Sequence, residues 1–193
     1  MKALSITKSS ILTVLLVSSG QIQAFDEEAA IAEAKAIAST FATALKQELQ
    51  AAMKAGGPVK ALNVCNIEAM PITAQSAQEL NASISRVSLK NRNMSNVPNE
   101  WQRVVLEEFD SRVSRGEDAG EMISSTVVES DGKKQLRFMK ALPTGGVCLA
   151  CHGQELSSEV QTVLKDLYPD DKATGYSLGE NRGAIVVIKD YER

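Results

Sequence analysis

The residues of this chain that point most clearly to chemistry are the run Cys148-Leu149-Ala150-Cys151-His152. This C-x-x-C-H spacing is typical of the site at which c-type haem is attached. Two thiols three positions apart on one turn can each add across a haem vinyl group to form a thioether, and the next imidazole then points at the iron. We therefore predict one covalent haem c held by Cys148 and Cys151, with His152 as an axial ligand of the iron.

Three other kinds of site also use two cysteines at this spacing. A thioredoxin-like dithiol lies between a strand and a helix of a βαβ unit, whereas the turn sequence Pro143-Thr144-Gly145-Gly146 precedes Cys148 here. A structural zinc site usually takes four ligands, and only Cys65 remains to complete a Cys3His set. A structural disulfide within the motif would be strained and would leave His152 without a role. These sites remain alternatives to haem attachment.

The spacing of residues does not identify the second axial ligand of the iron. The chain contains a single histidine, so two histidines of one chain cannot bind the same iron. The candidates are the thiolate of Cys65, a water molecule or vacant position, and five methionines: Met53, Met70, Met94, Met122 and Met139. A lone cysteine or a methionine is explained equally well by burial in a hydrophobic core, and the residues alone therefore leave the ligand open.

The composition is that of an ordinary globular protein with an acidic balance. Of the 193 residues, 44% are hydrophobic and 23% are charged, which argues against a disordered chain. The formal net charge of -3 argues against a nucleic-acid-binding protein, because such proteins displace counterions from phosphate with excess positive charge. The single histidine excludes a zinc enzyme that takes several histidines from one chain.

The first 24 residues have the layout of a secretory signal peptide. Lys2 and Lys8 give a positive start, residues 11–17 are an apolar run, and Ala24 occupies the expected cleavage position. The apolar run is too short to span a bilayer, which takes about 20 residues. We therefore predict export to the periplasm or an equivalent compartment, and a single haem-binding domain over residues 25–193. Export agrees with haem c, which is attached outside the cytoplasm.

Hydrophobic periodicity predicts two consecutive helices at the start of the mature chain. The first begins near Asp26 and ends at Gly56-Gly57-Pro58. The second begins at Pro58, carries Cys65, and is bent or interrupted at Pro71, because proline lacks the N–H that a helix uses. Two further helices are predicted to begin near Asn99 and Ser157.

Apolar and β-branched runs predict four strands, over residues 84–89, 121–129, 134–142 and 184–188. Asp131-Gly132 predicts a hairpin turn between the second and third strands. Helices precede and interrupt these strands without a regular βαβ alternation, so we predict an α+β fold with an antiparallel sheet.

Several motifs occur in a fixed order along the mature chain in addition to C-x-x-C-H. They are Leu62-Asn63-Val64-Cys65-Asn66, residues 86–93 with Asn96, Pro98 and Trp101, Leu142-Pro143, Gly175-Tyr176, Gly179, and Arg182-Gly183-Ala184. In these motifs the chain resembles a family of exported single-haem proteins and sensor ectodomains whose fold is similar to a PAS domain. The resemblance covers the mature chain from end to end.

This resemblance implies a PAS-like antiparallel sheet flanked by helices, with a long N-terminal helix. It also implies that Cys65, the cysteine of the N-V-C-N motif, is the axial ligand opposite His152. A thiolate stabilises ferric iron, so the reduction potential would be low compared with His/Met ligation. Asn63 and Asn66 flank the sulfur and are candidates to hydrogen-bond it, or are polar residues of a helix surface.

The resemblance favours a redox or small-ligand sensor that signals to a partner protein, and a soluble low-potential electron-transfer cytochrome is the alternative. The basic residues Arg86, Lys90 and Arg92 are candidate partners of the haem propionates, or belong to a solvated strand edge and loop. We do not expect an enzyme, since peroxidase chemistry usually takes a distal acid–base group and the chain has no second histidine to supply it.

Overall fold

The computed structural model describes residues 25–130 and 132–191. The predicted signal peptide, residues 1–24, lies outside the described residues, as do Asp131 of the predicted hairpin turn and the last two residues of the chain. No helix within the described ranges combines the length and the apolar character that a membrane span takes.

Helix α1 runs over Glu27–Glu79 and is broken at the predicted position. Asp26 caps its N-terminus by accepting a hydrogen bond of 3.0 Å from the backbone N–H of Ala29. The backbone is non-helical at Gly56 and Gly57, and the φ of +68° at Gly57 favours glycine. We call residues 27–55 the first segment of α1 and residues 58–79 its second segment.

The backbone of the second segment stays helical at Pro71, so the predicted interruption does not occur there. Proline removes the hydrogen bond to the carbonyl group four residues earlier, which belongs to Ile67. Both Pro71 and Ile67 are exposed, so water can reach the carbonyl group that the proline leaves without a helical partner.

Within the described residues, four antiparallel strands form one sheet in the spatial order β1-β4-β3-β2. The strands are β1 Ser83–Val87, β2 Ile123–Ser130, β3 Lys133–Pro143 and β4 Asn181–Tyr191. All four predicted strands are present, and β4 extends beyond its predicted ends because it pairs with β3 from Asn181 to Tyr191, whereas β1 pairs with its central residues 184–188. The antiparallel sheet, the helices around it and the long N-terminal helix confirm the predicted α+β fold.

The two faces of the sheet are covered by different helices. Alternate residues of β4 point to opposite faces, so Ile185 and Val187 pack with the first segment of α1, whose central side chain is the fully buried Phe41. Helix α2, Glu100–Ser114, covers the other face through Leu106 and Phe109. The first segment of α1 and the sheet thus form the framework of the molecule.

Two short helices lie in the long connection between β3 and β4. They are α3, Leu149–His152, and α4, Ser158–Leu167, whose N-cap Ser157 accepts a hydrogen bond from Val160. Leu62 of the second α1 segment packs with Cys151 and with Leu164 of α4 in a separate hydrophobic cluster. This cluster brings the second segment of α1 against the C-x-x-C-H motif.

Candidate functional site

A cavity of about 790 Å³, which includes space open to solvent, lies between the second segment of α1, strand β1 and helix α3. Its lining includes all four predicted site residues: Cys65, Cys148, Cys151 and His152. The structure therefore brings Cys65 to the same cavity as the C-x-x-C-H motif, from which it is distant in sequence.

The C-x-x-C-H motif is one tight helical turn. A 3-10 turn over Gly146–Cys148 leads directly into α3. Cys148 is half-buried and Cys151 is buried, and their thiols are not joined by a disulfide. Both side chains line the cavity. Covalent attachment of one ligand through both thiols requires this arrangement.

The orientation of the His152 ring follows from one hydrogen bond to the backbone. Its Nδ1 lies 2.6 Å from the carbonyl oxygen of Ala173, and because a carbonyl group only accepts, Nδ1 carries the hydrogen. The Nε–H of Arg182 lies 3.3 Å from the same nitrogen, but a ring nitrogen that donates cannot also accept. The lone pair of the imidazole is therefore on Nε2, the tautomer that a metal ligand needs.

The environment of His152 also favours its neutral form. Burial, together with the positive charges of Arg182 and Arg92, lowers the pKa of His152 to about 2. The ring of Tyr176 meets the imidazole edge to face, with 6.3 Å between the ring centroids. The imidazole is thus held neutral and in one orientation at neutral pH.

Cys65 is half-buried on the second segment of α1 and faces charged neighbours. Burial raises the pKa of its thiol, and the positive charges of Arg86 and Arg92 oppose that effect. Its neighbours in the N-V-C-N motif differ: Asn66 lines the cavity, whereas the exposed Asn63 donates to the carbonyl oxygen of Val59 in its own helix at 2.9 Å. Asn63 thus belongs to the helix surface, and Asn66 remains the candidate of the two to hydrogen-bond the sulfur.

The structure separates the methionine candidates into two groups. Met122 and Met139 are fully buried in the core under α2, and Met94 is exposed outside the cavity lining. Met53 and Met70 line the cavity together with Cys65. Apart from the two cysteines of the C-x-x-C-H motif, these three side chains are the sulfur donors that line the cavity in the described part of the chain.

The basic residues that the sequence singled out have three different environments. Arg86 on β1 lines the cavity, and in the part of the chain that the structure describes it forms no ion pair. Arg92 also lines the cavity but is paired with Asp171, at 3.0 Å between Nη2 and Oδ2. Lys90 lies outside the cavity lining, with its ammonium group 4.2 Å from the centre of the Tyr176 ring.

Arg182 is a cavity residue to which the sequence assigned no role. It lines the cavity and donates through Nη1 to the hydroxyl group of Ser88 at 3.0 Å. Arg182 lies at the start of β4 in the motif Arg182-Gly183-Ala184, and that motif is the feature of the sequence that could have identified it as a site residue. No motif of the sequence identified Asp171, which follows the exposed residues Pro169 and Asp170 in a loop.

The geometry bears on the alternatives to haem attachment. Within residues 25–130 and 132–191, no three histidine, cysteine or acidic side chains are close enough together to share one metal ion. The ligands of a structural zinc site lie about 2.0–2.3 Å from the metal, so its side chains must be close together, and the described side chains are not grouped in this way. All strand pairs of the described sheet are antiparallel, so the C-x-x-C pair does not lie in the βαβ unit of a thioredoxin-like dithiol.

Comparison with known proteins identifies the family. The model of the Tll0287-like family matches residues 21–189. The crystal structure of the cyanobacterial heme-protein Tll0287 matches with a TM-score of 0.55 at 22% identity, over 84% of this chain and 95% of that chain, a likeness that shows the fold. No curated protein matches the chain. The family match covers most of the sequence and agrees with the resemblance found in its motifs, and the chain therefore belongs to the Tll0287-like family.

Proposed function

We propose that this protein binds one haem c, attached through Cys148 and Cys151, with His152 and Cys65 as the axial ligands of its iron. The observation that carries the proposal is that Cys65 and the C-x-x-C-H turn line one cavity. The solved structure of similar fold is described as a heme-protein, which supports the same cofactor here. When bound, haem supplies an iron that exchanges one electron and accepts small ligands.

The residues present fit this cofactor in donor type and in charge. The Nδ1–H of His152 is used by Ala173, which leaves Nε2 as the ligand nitrogen. Apolar side chains such as Leu49, Leu62 and Val147 line the cavity beside the thiols. Arg86 and Arg182 also line it without an ion pair in the described ranges, and guanidinium groups suit the two carboxylates of a haem.

Cys65 is preferred over Met53 and Met70 as the second ligand for two reasons. The family resemblance assigns this role to the cysteine of the N-V-C-N motif. In addition, the positive charges of Arg86 and Arg92 would stabilise an iron-bound thiolate at Cys65, although burial, the larger effect, raises the pKa of the free thiol. A thiolate and an imidazole together make a low reduction potential the expected result.

A redox or small-ligand sensor fits the way the Cys65 helix is held. The first segment of α1 buries a row of side chains against the sheet, including Ile37 and Phe41. The second segment buries few, chiefly Ala61 and Leu62, and joins the first through the non-helical Gly56 and Gly57. A segment with few buried contacts and a hinge is the part of a fold that moves most readily.

A soluble electron-transfer cytochrome is the alternative, and catalysis is not part of the proposal. The single histidine of the chain is used as a ligand, which leaves no second histidine as a distal acid–base group. The signal-peptide layout supports an exported protein, so any signal would pass to a partner in the same compartment.

The decisive experiment is mass spectrometry of the processed protein after expression with a haem maturation system. The expected mass is that of the polypeptide plus one haem. A bare polypeptide mass from a colourless protein would reject the proposal.

The ligand is tested by the optical spectra of the Cys65→Ala and Met70→Leu variants beside the wild type. We expect Cys65→Ala to lose thiolate-to-iron charge-transfer bands and to raise the potential, while Met70→Leu leaves both unchanged. If Cys65→Ala has the wild-type spectrum, Cys65 is not the ligand. Rapid carbon monoxide uptake by the reduced wild type supports sensing, and an unchanged low-spin spectrum under carbon monoxide supports electron transfer.

A further inference from the structure

The geometry points to Arg92 and Asp171 as positioning residues that act on His152 through the carbonyl group of Ala173 and so set the reduction potential. This inference rests on the proposed haem and names a function for two side chains beyond the proposed iron ligands. Neither residue is adjacent to the C-x-x-C-H motif in the sequence.

Ala173 is the point at which the three side chains meet. Its carbonyl oxygen accepts from Nδ1 of His152 at 2.6 Å and from Nη2 of Arg92 at 3.3 Å. Its N–H donates to Oδ1 of Asp171 at 2.8 Å. Both polar groups of Ala173 are thus held by the charged pair, and the Ala173 carbonyl group also holds the histidine ring.

Arg92 further connects this point to the haem-attachment turn. Its Nη2 donates to the carbonyl oxygen of Cys151 at 2.6 Å, and its Nε donates to Oδ2 of Asp171 at 3.1 Å. The loop that carries Arg92 is joined to the Asp171 loop a second time, by the bond of 3.0 Å from the N–H of Lys172 to the carbonyl oxygen of Asn91. The guanidinium group therefore fixes both the turn that holds the cysteines and the carbonyl group that orients the imidazole.

The pair is shielded from water, which makes its charges effective. The side chain of Arg92 is 10% exposed and that of Asp171 is 9% exposed. Solvent screens charges only weakly at such low exposure, whereas it strongly weakens the electrostatic interactions of ion pairs on the surface. We therefore expect the charges of this pair to influence the imidazole, to which hydrogen bonds through Ala173 connect them, and the iron that it would bind.

The two charges act on the histidine in opposite directions. A hydrogen bond from Arg92 withdraws electron density from the Ala173 carbonyl group, so that oxygen accepts less strongly from His152. Without this donor the imidazole gains basicity as a ligand, which stabilises ferric iron and lowers the potential. Loss of the negative charge of Asp171 leaves Arg92 uncompensated and raises the potential.

The test is the reduction potential of the haem-loaded protein in three variants: Arg92→Gln, Asp171→Asn and the double variant. We expect Arg92→Gln to shift the potential down, Asp171→Asn to shift it up, and the double variant to fall between the two. Arg92→Lys keeps the charge but cannot make all the hydrogen bonds of the guanidinium group, so we expect it to shift the potential down by less than Arg92→Gln. Replacing Arg112 and Glu117 by glutamine is the matched control, because this exposed pair lies outside the cavity lining.

The outcomes separate a positioning role from a purely structural one. A structural role alone predicts lower thermal stability or haem yield with potentials unchanged or shifted in the same direction, and that result would overturn the inference. If Arg92→Gln does not load haem, an upward shift in Asp171→Asn together with a downward shift in Arg92→Lys still supports it. A wild-type protein without haem would instead be the failure of the proposed cofactor, which the mass spectrum shows independently.

Discussion

Replacement of Gly153 by alanine would introduce a steric conflict directly behind the C-x-x-C-H motif. An added Cβ atom would lie 2.5 Å from the carbonyl oxygen of Leu149, far inside normal contact distance. The backbone of Gly153 has φ -68° and ψ 179°, which any residue can adopt. Glycine is therefore needed here for the close approach of the backbone at the end of α3, and not for an unusual conformation.

The conflict cannot be relieved by rotating a side chain. The Cβ atom is fixed by the backbone of residue 153, its partner is a backbone oxygen, and hydrogen bonds hold both backbone segments. The N–H of Gly153 donates to the same Leu149 oxygen at 2.9 Å, and its own carbonyl oxygen accepts from Gly175 at 2.9 Å. Overpacking of this kind costs about 1–3 kcal/mol. It outweighs the gain of about 0.4–1 kcal/mol that alanine brings by restricting the unfolded chain.

Gly146→Ala is the matched control, since a Cβ atom at Gly146 meets nothing within 4 Å. We expect this control to unfold at or slightly above the wild-type temperature. Gly153→Ala should unfold about 2–12 °C below the control, because the overpacking cost of about 1–3 kcal/mol shifts the unfolding temperature by about 2–4 °C per kcal/mol in a domain of this size. Thermal unfolding by circular dichroism measures the difference, and mass spectrometry should show less haem-loaded Gly153→Ala protein.

The reasoning would be refuted if Gly153→Ala were as stable as Gly146→Ala and loaded haem equally well. Such a result would mean that the turn after the motif adjusts without cost. A loss of haem loading at unchanged stability would show that the glycine serves the attachment reaction and not the packing of the turn.

Two further predictions concern the framework and the core. The Lys189 and Tyr191 side chains hold the pKa of Glu33 below its usual range, so Glu33→Gln should lower stability by less than about 1 kcal/mol at neutral pH. A depressed carboxyl pKa stabilises the fold above about pH 4, so the difference should vanish as acid titrates Glu33 in the folded protein, and urea unfolding at pH 7 and pH 3 measures it. Met139→Leu should leave the optical spectrum unchanged, because Met139 is fully buried in the core, and a changed spectrum would return this methionine to the ligand candidates.

The amino-acid sequence by itself determined the features that depend on neighbouring residues. The spacing of Cys148, Cys151 and His152 places three functional groups on one turn, and the structure keeps them there. The glycines at 56 and 57 end a helix through their own backbone preferences. Apolar and β-branched runs predicted all four strands, because the residues that a strand packs against a core lie next to or two positions from one another in the sequence.

Only the tertiary structure decided which distant groups share the cavity. Arg92 and Asp171 are separated by 79 residues, and neither carries a local pattern that names the other as its partner. Met53 and Met122 are indistinguishable in sequence, yet one lines the cavity and the other is buried in the core. The acceptor that orients His152 is the main-chain oxygen of Ala173, 21 residues away. Every residue has such an oxygen, so no side chain signals its role, and only the folded path of the backbone brings it to the imidazole.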